Sequence, residues 1–376
     1  MGIVRFDEIA RECRETFKGS FTDMPIVGLE HIEPYDMKLK NYEVNVETTF
    51  TKQFHEGQIL FGRRRAYQHK ACVATFDGIC SGDITVIEPI EGKVYPDLLP
   101  FIIQNDDFFE HAIKGSNGAL SPRVKWEHMA NFELNLPSLE EQKVLAEKLW
   151  AAYEVKQSYL KMIDATDNMV KSQFIEMFGT PENNHNDYPV IKIGEMVESI
   201  NYGTSKPATD NGKYVYLRMN NITYDGKLDL SEVKRITLSP EEDDSAFVHK
   251  GDLMFNRTNT KEFVGKTTVF NLDEQMVVAG YIIRVRFKEK YSPEYLSGYL
   301  NSTYGKALLR KMAKGAVHQA NINAQEFQGI QVLDVPKQEQ DKYVTIAKQA
   351  DKSISELRKS VDAIDKVIKS LINENL

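Results

Sequence analysis

Cysteine is scarce in this chain of 376 residues, which contains only three. An odd and widely spaced set (Cys13, Cys72 and Cys80) does not fit a disulfide framework and indicates reduced thiols in the cytoplasm. Cys72 and Cys80 also lack the Cys-x-x-Cys spacing of a zinc site, so we expect no metal there. No run of 18 or more apolar residues exists, which excludes a membrane-spanning helix. The charged start, "MGIVRFDEIARECRETF", lacks the apolar core of a signal peptide.

The motifs of catalysis are missing as well. The stretch "VGKTT" from Val264 to Thr268 resembles a phosphate-binding loop, but Thr260 stands where that motif needs a glycine. The sequence has no G-x-G-x-x-G after a strand, no Asn/Asp-Pro-Pro-aromatic motif and no H-E-x-x-H. We therefore expect no catalytic residue and no bound cofactor, and we expect cofactor chemistry only on partner proteins.

Acidic residues are absent from long stretches, although the net charge of the whole chain is −8. A negative total argues weakly against nucleic acid as a partner. Four segments nevertheless contain no Asp or Glu and carry Arg, Lys or both: 57–76, 111–126, 253–261 and 295–325. Local basic surfaces of this kind are what contact with phosphates requires.

The sequence contains an internal duplication, in which similar motifs recur in the same order about half the chain length apart. "FHEGQILFGRRR" from Phe54 resembles "VHKGDLMFNRT" from Val248, and "ICSGDITVI" from Ile79 resembles "VVAGYIIRV" from Val277. Matched glycines and prolines are separated by 194 to 200 residues, always in the same order. A nearly constant offset over ordered matches predicts a duplicated domain.

Each copy is predicted to fold as a mixed α/β (α+β) domain. Short β-type runs such as "QILF", "ITVI", "DLMFN" and "YIIRVRF" are bounded by Gly, Asp or Asn. "PDLLPFIIQNDDFFEHAI" and "SPEYLSGYLNSTYGKALLRKMA" have the three- and four-residue apolar spacing of helices. We therefore predict two similar globular domains, the first at residues 1–137 and the second at 181–336.

A long helix is predicted after each domain, at 138–180 (with the start of the linker 179–189) and at 337–376. The stretch "LPSLEEQ" begins the first, with Ser138 as N-cap and Glu141 three residues on, and "VPKQEQ" begins the second. Neither helix contains proline or glycine before Phe178 or Leu376, respectively.

Apolar residues recur in both helices at the heptad spacing of a coiled coil. The first seam is interrupted by Lys156, Thr166 and Gln173, which can set the register. A helix of 36 residues is about 54 Å long, which exceeds a compact domain, so packing on the helix's own domain is the weaker alternative. We predict an antiparallel coiled coil with the domains at its two ends, related by approximate two-fold symmetry. The expected pairing residues are Leu145, Leu149, Tyr159, Ile163, Val170, Ile354, Leu357, Val361, Ile364, Ile368 and Leu371.

Two similar but divergent domains on a rigid spacer suit a ligand with two spaced and unlike segments. Duplex DNA is such a ligand, because dimeric readers contact half-sites about one helical turn apart or a multiple of it. Loops rich in Arg, Lys, Asn and Gln also carry the side chains that hold phosphates and read base edges.

The repeated proline, Glu-Gln turn and long helix, together with the strand "G-x-[IL]-[LM]-F" followed by Arg, resemble the specificity subunit of Type I restriction–modification systems. The resemblance implies two target recognition domains, each reading half of an asymmetric double-stranded DNA site. It implies that the helices bind modification subunits, two in number, and that restriction subunits join through these. S-adenosylmethionine, ATP and magnesium are then expected only on partner subunits.

The residues that we predict to contact DNA lie in the basic loops after strands. For any single one of them, a solvated basic face is an equally good interpretation. The rival function is a coiled-coil scaffold whose domains bind protein, and an autonomous DNA enzyme is disfavoured by the missing motifs. The predicted DNA-binding residues are Arg63, Arg64, Arg65, Gln68, Lys70, Ser116, Asn117, Arg123 and Lys125 in the first domain, and Lys206, Arg218, Asn256, Arg257, Asn259, Lys261, Lys314, His318, Gln319 and Asn321 in the second.

Overall fold

The computed structural model of the chain describes residues 2–116, 118, 121–239, 244–316 and 319–376. It separates into two compact units. Unit 1 is formed by Met1–Leu160 with Arg358–Leu376, and unit 2 by Lys161–Leu357. The first domain lies in unit 1 and the second in unit 2.

The strands of unit 1 are short, because its apolar runs are brief and bounded by turn residues. The strands are β1 (Gly2–Arg5), β2 (Ala10–Cys13), β3 (Ile26–Val27), β4 (Lys52–Phe54), β5 (Ile59–Gly62), β6 (Ala71–Val73), β7 (Gly78–Cys80), β8 (Ile84–Pro89) and β9 (Glu133–Leu136). The helices are α1 (Phe6–Ile9), α2 (Leu99–Gln104), α3 (Asp106–Lys114), α4 (Trp126–Met129) and the long helix α5 (Leu139–Phe178), which continues into unit 2.

The core of unit 1 lies on both faces of a four-stranded antiparallel sheet in the order β2-β8-β5-β6. Successive side chains of a strand point to opposite faces. Accordingly, Ile59 and Phe61 of β5 belong to one apolar cluster and Leu60 to another. A second sheet has the order β3-β7-β4, with β3 parallel to β7, and β1 pairs antiparallel with β9.

Unit 2 contains the same kinds of secondary-structure elements as unit 1, with additional strands. Its strands are β10 (Val190–Lys192), β11 (Val197–Tyr202), β12 (Tyr214–Leu217), β13 (Lys234–Ile236), β14 (Phe247–Val248), β15 (Leu253–Asn256), β16 (Thr258–Asn259), β17 (Thr267–Val269), β18 (Met276–Val278), β19 (Ile282–Phe287), β20 (Lys314–Ala316), β21 (Gln319–Asn321) and β22 (Gln331–Leu333). Its helices are α6 (Ile193–Met196), α7 (Pro293–Asn301), α8 (Thr303–Met312), α9 (Ala324–Gln328) and α10 (Lys337–Asn375), which continues into unit 1.

The sheets of unit 2 follow the plan of unit 1. The order β11-β19-β15-β17 matches β2-β8-β5-β6, and the pair β10-β22 matches β1-β9. The sheet β13-β12-β18-β14 again contains one parallel pair, β12 with β18. The duplication predicted from the sequence is therefore confirmed. Among the residues described, the three-stranded sheet β16-β21-β20 has no counterpart sheet in unit 1, where an isolated bridge between Arg64 and Arg123 stands in the place of the β16-β21 pair.

Both domains turn sharply into their central strand at a glycine. Gly57, before β5, has φ of 85°, and Gly251, before β15, has φ of 91°. Glycine adopts this left-handed region without the steric cost that a side chain imposes. The two backbone N–H groups donate to equivalent carbonyls, those of Ala74 and Phe270. The turn is thus one of the features that the duplication has kept.

Each of the two stretches with helical apolar spacing folds as a pair of short helices. Asn105 separates α2 from α3 and caps α3 by accepting from the backbone N–H of Asp107 at 3.2 Å. Ser302 separates α7 from α8 and accepts from the backbone N–H of Gly305 at 3.0 Å. Both side chains compete for backbone hydrogen bonds, which favours helix ends over helix interiors.

The repeated turn before each long helix is held by a buried glutamine. Gln142 accepts from the backbone N–H of Tyr95 and donates to the carbonyl of Pro137, both at 2.8 Å. Gln340 makes the same pair of bonds, with the N–H of Ser292 at 2.8 Å and the carbonyl of Val335 at 2.7 Å. We call this pair of bonds the glutamine clasp. It joins each helix to its own domain, which explains why the same turn sequence precedes both helices.

The two long helices pack together within each unit. In unit 1, Leu145 and Leu149 of α5 share a cluster with Ile372 of α10, and Lys156 forms an ion pair with Asp365 at 2.7 Å. In unit 2, the ring of Phe174 of α5 lies 5.1 Å from that of Tyr343 of α10. The first half of α5 thus meets the end of α10, and its second half meets the start of α10. This confirms the predicted antiparallel pairing.

The predicted pairing residues are all protected from solvent to some degree. Their individual partners along the seam stay a prediction. Leu145, Leu149, Ile163 and Ile354 are buried, whereas Tyr159, Val170, Leu357, Val361, Ile364, Ile368 and Leu371 are half-buried.

Candidate nucleic-acid interface

The two basic loops of the first domain meet at the end of β5. Arg64 and Arg123 face each other in an antiparallel bridge, and the N–H of Arg65 donates to the carbonyl of Pro122 at 2.8 Å. The N–H of Val124 donates to the carbonyl of Arg63 at 2.9 Å. Segments about 60 residues apart in the sequence therefore form one surface.

Asp83 joins this surface from a third segment. Its carboxylate accepts from Arg123 Nε at 2.6 Å and lies 3.3 Å from Arg64 Nη1. The hydrogen bond from Arg123 is the largest cause that lowers the pKa of Asp83, and Arg64 adds to it. Arg64 Nε also donates to Ser121 at 2.7 Å. Two of the predicted cations thus share one carboxylate, so the local positive charge is smaller than the acid-free stretches suggest.

A groove of about 870 Å³ lies beside these arginines, and Arg63 and Lys125 contribute to its wall. Acidic and basic side chains line it in equal number. Its charged lining residues are Glu12, Arg14, Glu15, Lys52, Arg63, Asp83, Lys125 and Glu127. Lys125 is exposed at the start of α4, where it is free to reach a ligand.

Other predicted residues of the first domain make internal bonds. The Lys70 ammonium donates to the carbonyl of Leu29 at 2.6 Å, and Ser116 Oγ donates to the carbonyl of Ala112 at 3.0 Å. Arg65 adopts the left-handed conformation, with φ of 55°, and begins the short turn that contains Gln68. Asn117 lies outside the described residues.

In the second domain, Arg257 occupies the place of Arg63. Its N–H donates to the carbonyl of Tyr281 at 2.9 Å, as that of Arg63 does to Asp83 at 3.0 Å. Its carbonyl accepts from Ile322, as that of Arg63 does from Val124. The duplication therefore places an arginine in the same backbone setting in both domains.

The surroundings of the Arg257 side chain are neutral. Its Nε donates to the carbonyl of Gly280 at 3.0 Å, and Nη1 lies 3.5 Å from Asn321 Oδ1. The guanidinium stacks over Tyr202, with 4.8 Å to the ring centre, which favours a cation. Asn321 in turn donates to Thr258 at 2.8 Å. These contacts orient the arginine without cancelling its charge.

The remaining predicted residues of the second domain differ in accessibility. Asn256 is fully buried, and neither polar atom of its amide has a hydrogen-bond partner among the described residues. Asn259 accepts from the N–H of Thr260 at 2.9 Å, and Lys261 is exposed. The Lys314 ammonium is paired with Glu326 at 2.6 Å.

Four further predicted residues complete this account. Lys206 is exposed, and its carbonyl accepts from the Tyr216 hydroxyl at 3.0 Å. Arg218 is half-buried, with its Nε enclosed and without a hydrogen-bond partner among the described atoms. Gln319 lies on β21, and His318 falls outside the described residues.

Sequence reasoning missed an enclosed lysine on α8. The Lys306 ammonium has no hydrogen-bond partner among the described residues and lies 4.7 Å from the centre of the Tyr224 ring. Burial, followed by repulsion from Lys171, lowers the pKa of Lys306 to about 8. The neighbouring Arg310 donates to the Tyr224 hydroxyl at 2.9 Å. The only signal in the sequence is the acid-free stretch 295–325, which does not reveal burial.

The chain belongs to the family of the Type I restriction modification DNA specificity domain. The model of that family matches residues 12–158 and 185–364, which include most of both domains, the first half of α5 and most of α10. The resemblance drawn from the repeated turn and helix is therefore confirmed.

Individual relatives carry the same description. The putative type I restriction enzyme MjaX specificity subunit of Methanocaldococcus jannaschii is 25% identical over 193 residues, which cover 50% of this chain and 45% of that protein. The EcoKI specificity subunit of Escherichia coli strain K12 is 22% identical over 302 residues, covering 76% of this chain and 64% of that one. The chain spans less than two thirds of the length of either relative.

Solved structures share the fold over nearly the full length. A chain from a study of complex assembly and conformational transition of the type I R-M system has a TM-score of 0.57 at 16% identity, covering 100% of this chain and 97% of that chain. The S subunit of the Type-I restriction-modification system of M. genitalium has a TM-score of 0.54 at 10% identity, covering 98% and 94%. In the described part of this chain, no helix has the length and apolarity that crossing a membrane requires.

Proposed function

We propose that this chain is the DNA-recognition subunit of a Type I restriction–modification complex. In this proposal the first domain (1–137) and the second domain (181–336) are target recognition domains. Each reads one half of a bipartite, asymmetric site in double-stranded DNA. The helical regions 138–180 and 337–376 serve as the spacer.

The observation that carries the proposal is the equivalence of Arg63 and Arg257. Both follow the central strand of their sheet and make equivalent backbone bonds. The Arg63 N–H donates to the carbonyl of Asp83, whose carboxylate pairs with Arg64 and Arg123, whereas the Arg257 N–H donates to the carbonyl of Tyr281. The same backbone position with different neighbouring side chains in the two domains is what two readers of different sequences require. Arginine suits guanine or phosphate, and asparagine such as Asn321 suits adenine.

The helices also offer a surface for the modification subunits, of which we propose two. Met162 and Met169 of α5 lie within unit 2, 52% and 51% exposed. Residues seven apart lie on the same face of a helix. Methionine adapts to varied partners and recurs at binding surfaces. Restriction subunits would join through the modification subunits.

We propose that this subunit performs no chemistry of its own and acts by placing the methyltransferase on DNA. S-adenosylmethionine, ATP and magnesium would bind to the partner subunits. All three cysteines are free thiols, which fits a place in the reducing cytoplasm.

The proposal is tested with the chain and its modification subunit on a library of random duplex DNA. We expect selection of a split site with two unlike halves and an affinity that falls steeply as salt rises, because several phosphates are contacted. Selection of no sequence, with binding that is insensitive to salt, would instead favour the scaffold function. A single continuous site would contradict the two-reader arrangement.

A further inference from the structure

Each domain reaches its own long helix through a lysine on a loop. In unit 1, the Lys38 ammonium lies 2.6 Å from Glu154 Oε1 of α5. In unit 2, the Lys227 ammonium donates to Asp351 of α10 and lies 3.9 Å from Asp167 of α5. Both loops follow the strand that pairs in parallel in its sheet, β3 or β12, and a short helical turn. The contact therefore recurs with the rest of the plan.

The position of these contacts along the helices is also repeated. Glu154 lies about three helical turns beyond Gln142, and Asp351 lies about three turns beyond Gln340. In addition to apolar packing, each domain thus makes polar contacts with its helix at two separate places, the glutamine clasp and the lysine contact. A single attachment permits rotation about itself, whereas two attachments roughly 16–18 Å apart oppose it.

In unit 1 the second attachment includes a protected hydrogen bond. Tyr153, which is 3% exposed, donates its hydroxyl to Asp36 Oδ1 at 2.6 Å. Burial acts to raise the pKa of Asp36, but hydrogen bonds from Lys40, Tyr153 and the Lys38 N–H outweigh it and lower that pKa. Lys38 itself lies 5.3 Å from the centre of the Trp150 ring. Asp36 therefore stays ionised and keeps the loop on the helix.

These contacts are too weak to be the main attachment of a domain. Exposed ion pairs contribute little to stability because solvent and salt screen them. Leu145 and Leu149 already join the helix to the core of unit 1. The lysine contact nevertheless occurs at the equivalent position of both long helices. This repetition indicates that it orients the domain rather than stabilises it.

We propose that Asp36, Lys38 and Lys227 are positioning residues that fix the angle of each domain on its helix and thereby limit the spacing between DNA half-sites that the protein accepts. This inference rests on the proposed function. One added base pair moves a half-site by about 3.4 Å and rotates it by about 35°. If the angle between each domain and its helix is fixed, the protein cannot follow that change and binds the altered site weakly. If the domains can rotate on their helices, the protein tolerates it.

The test uses the full chain with its modification subunit and duplexes that carry the selected site at its preferred spacing or one base pair longer or shorter. The variants are the double substitution Lys38→Met with Tyr153→Phe in unit 1, and Lys227→Met alone in unit 2. Matched controls are Lys93→Met, an exposed lysine of the first domain, and Lys250→Met, which removes the ion pair with Asp273 inside the second domain.

We expect the wild-type protein and both controls to bind the preferred spacing at least about tenfold more tightly than the altered ones. In the double variant of unit 1 and in Lys227→Met, this ratio should fall to about threefold, while base preference within each half-site stays unchanged. A merely structural role would lower affinity for all spacings equally.

The possible failures are distinguishable. If the wild-type protein selects no split site, the proposed function fails and this inference fails with it. If the wild-type protein is selective and both variants keep its spacing ratio, only the positioning role is overturned. Because Lys227→Met alters a single, partly exposed side chain, it gives an answer even if the double variant does not fold.

Discussion

Arg123 donates to Asp83 at 2.6 Å in the first domain, whereas the position equivalent to Asp83 in the second domain is Tyr281. The carboxylate offsets one of the two positive charges that Arg64 and Arg123 bring to the first surface. The second surface has an arginine held by neutral groups. The two domains therefore differ in the charge that they present at corresponding places.

Asp83→Asn should increase the affinity of the first domain for its half-site. Removing the carboxylate leaves one more cation for phosphate, so the plot of log affinity against log salt should become steeper by about 1. The cost in stability should stay below about 1 kcal/mol, since both arginine partners are partly exposed. Titration of labelled duplex over a salt series measures the effect. Asp77→Asn, an exposed carboxylate of the same domain, is the control, and an unchanged slope would contradict the expectation.

Arg257→Ala should weaken recognition of one half-site only. Loss of a well-oriented arginine costs about 1–3 kcal/mol of discrimination at the base that it contacts. Arg257→Lys should not restore it fully, because lysine lacks the planar fork that stacks on Tyr202. Competition with duplexes altered in one half at a time measures the effect, with Lys234→Ala on an exposed strand as control. Equal losses in both halves would count against the two-reader arrangement.

Gln142→Ala should destabilise unit 1, and Gln340→Ala should destabilise unit 2. Each substitution removes two hydrogen bonds and leaves buried backbone groups unpaired, so the free energy of unfolding should fall by about 2–3 kcal/mol. Urea unfolding followed by circular dichroism measures it. Gln349→Ala, at an exposed position of α10, should change stability by less than about 0.5 kcal/mol. Clasp variants as stable as this control would disprove the structural role.

Lys306→Met should stabilise the protein most strongly below pH 8. The folded-state pKa of Lys306 is about 8, against an unfolded value near 10.5, so a charged lysine opposes folding over the whole range below 8. The penalty is on the order of 3 kcal/mol and disappears as the pH rises from about 8 to 10.5. The stability difference between variant and wild type should therefore shrink over that window.

Urea unfolding at pH 7 and at pH 9.5 checks this expectation. Lys311→Met, at an exposed position of the same helix, should show no such pH dependence. A difference that stays constant with pH would mean that the Lys306 ammonium is not penalised by burial.

The repeated architecture could be read from the sequence because its signals are local. The N-cap pair of Ser138 and Glu141 is present, with Ser138 Oγ donating to Glu141 at 2.7 Å, as the spacing predicts. The apolar spacing of both helices likewise marks the residues that are protected from solvent. Periodicity depends only on neighbours a few positions away, so one sequence is enough to find it.

The charge of the candidate interface could not be read in the same way. Counting acids along a segment misses Asp83, which comes from a different strand end, and Glu326, which pairs with Lys314 across a loop. The neighbouring residues in the sequence also do not reveal that Lys125 is exposed whereas Lys306 is enclosed. These properties depend on which distant segments the sheet brings together, and one unaligned sequence carries no record of those contacts.

Unit 2 consists of one continuous stretch, whereas unit 1 is completed by residues 358–376. Asn135 donates its N–H to the carbonyl of Leu376, and Ile372 lies in the core of unit 1. During synthesis, the half of the protein that leaves the ribosome later can therefore finish folding first. The core of unit 1, by contrast, stays partly uncovered until residues 358–376 have been made.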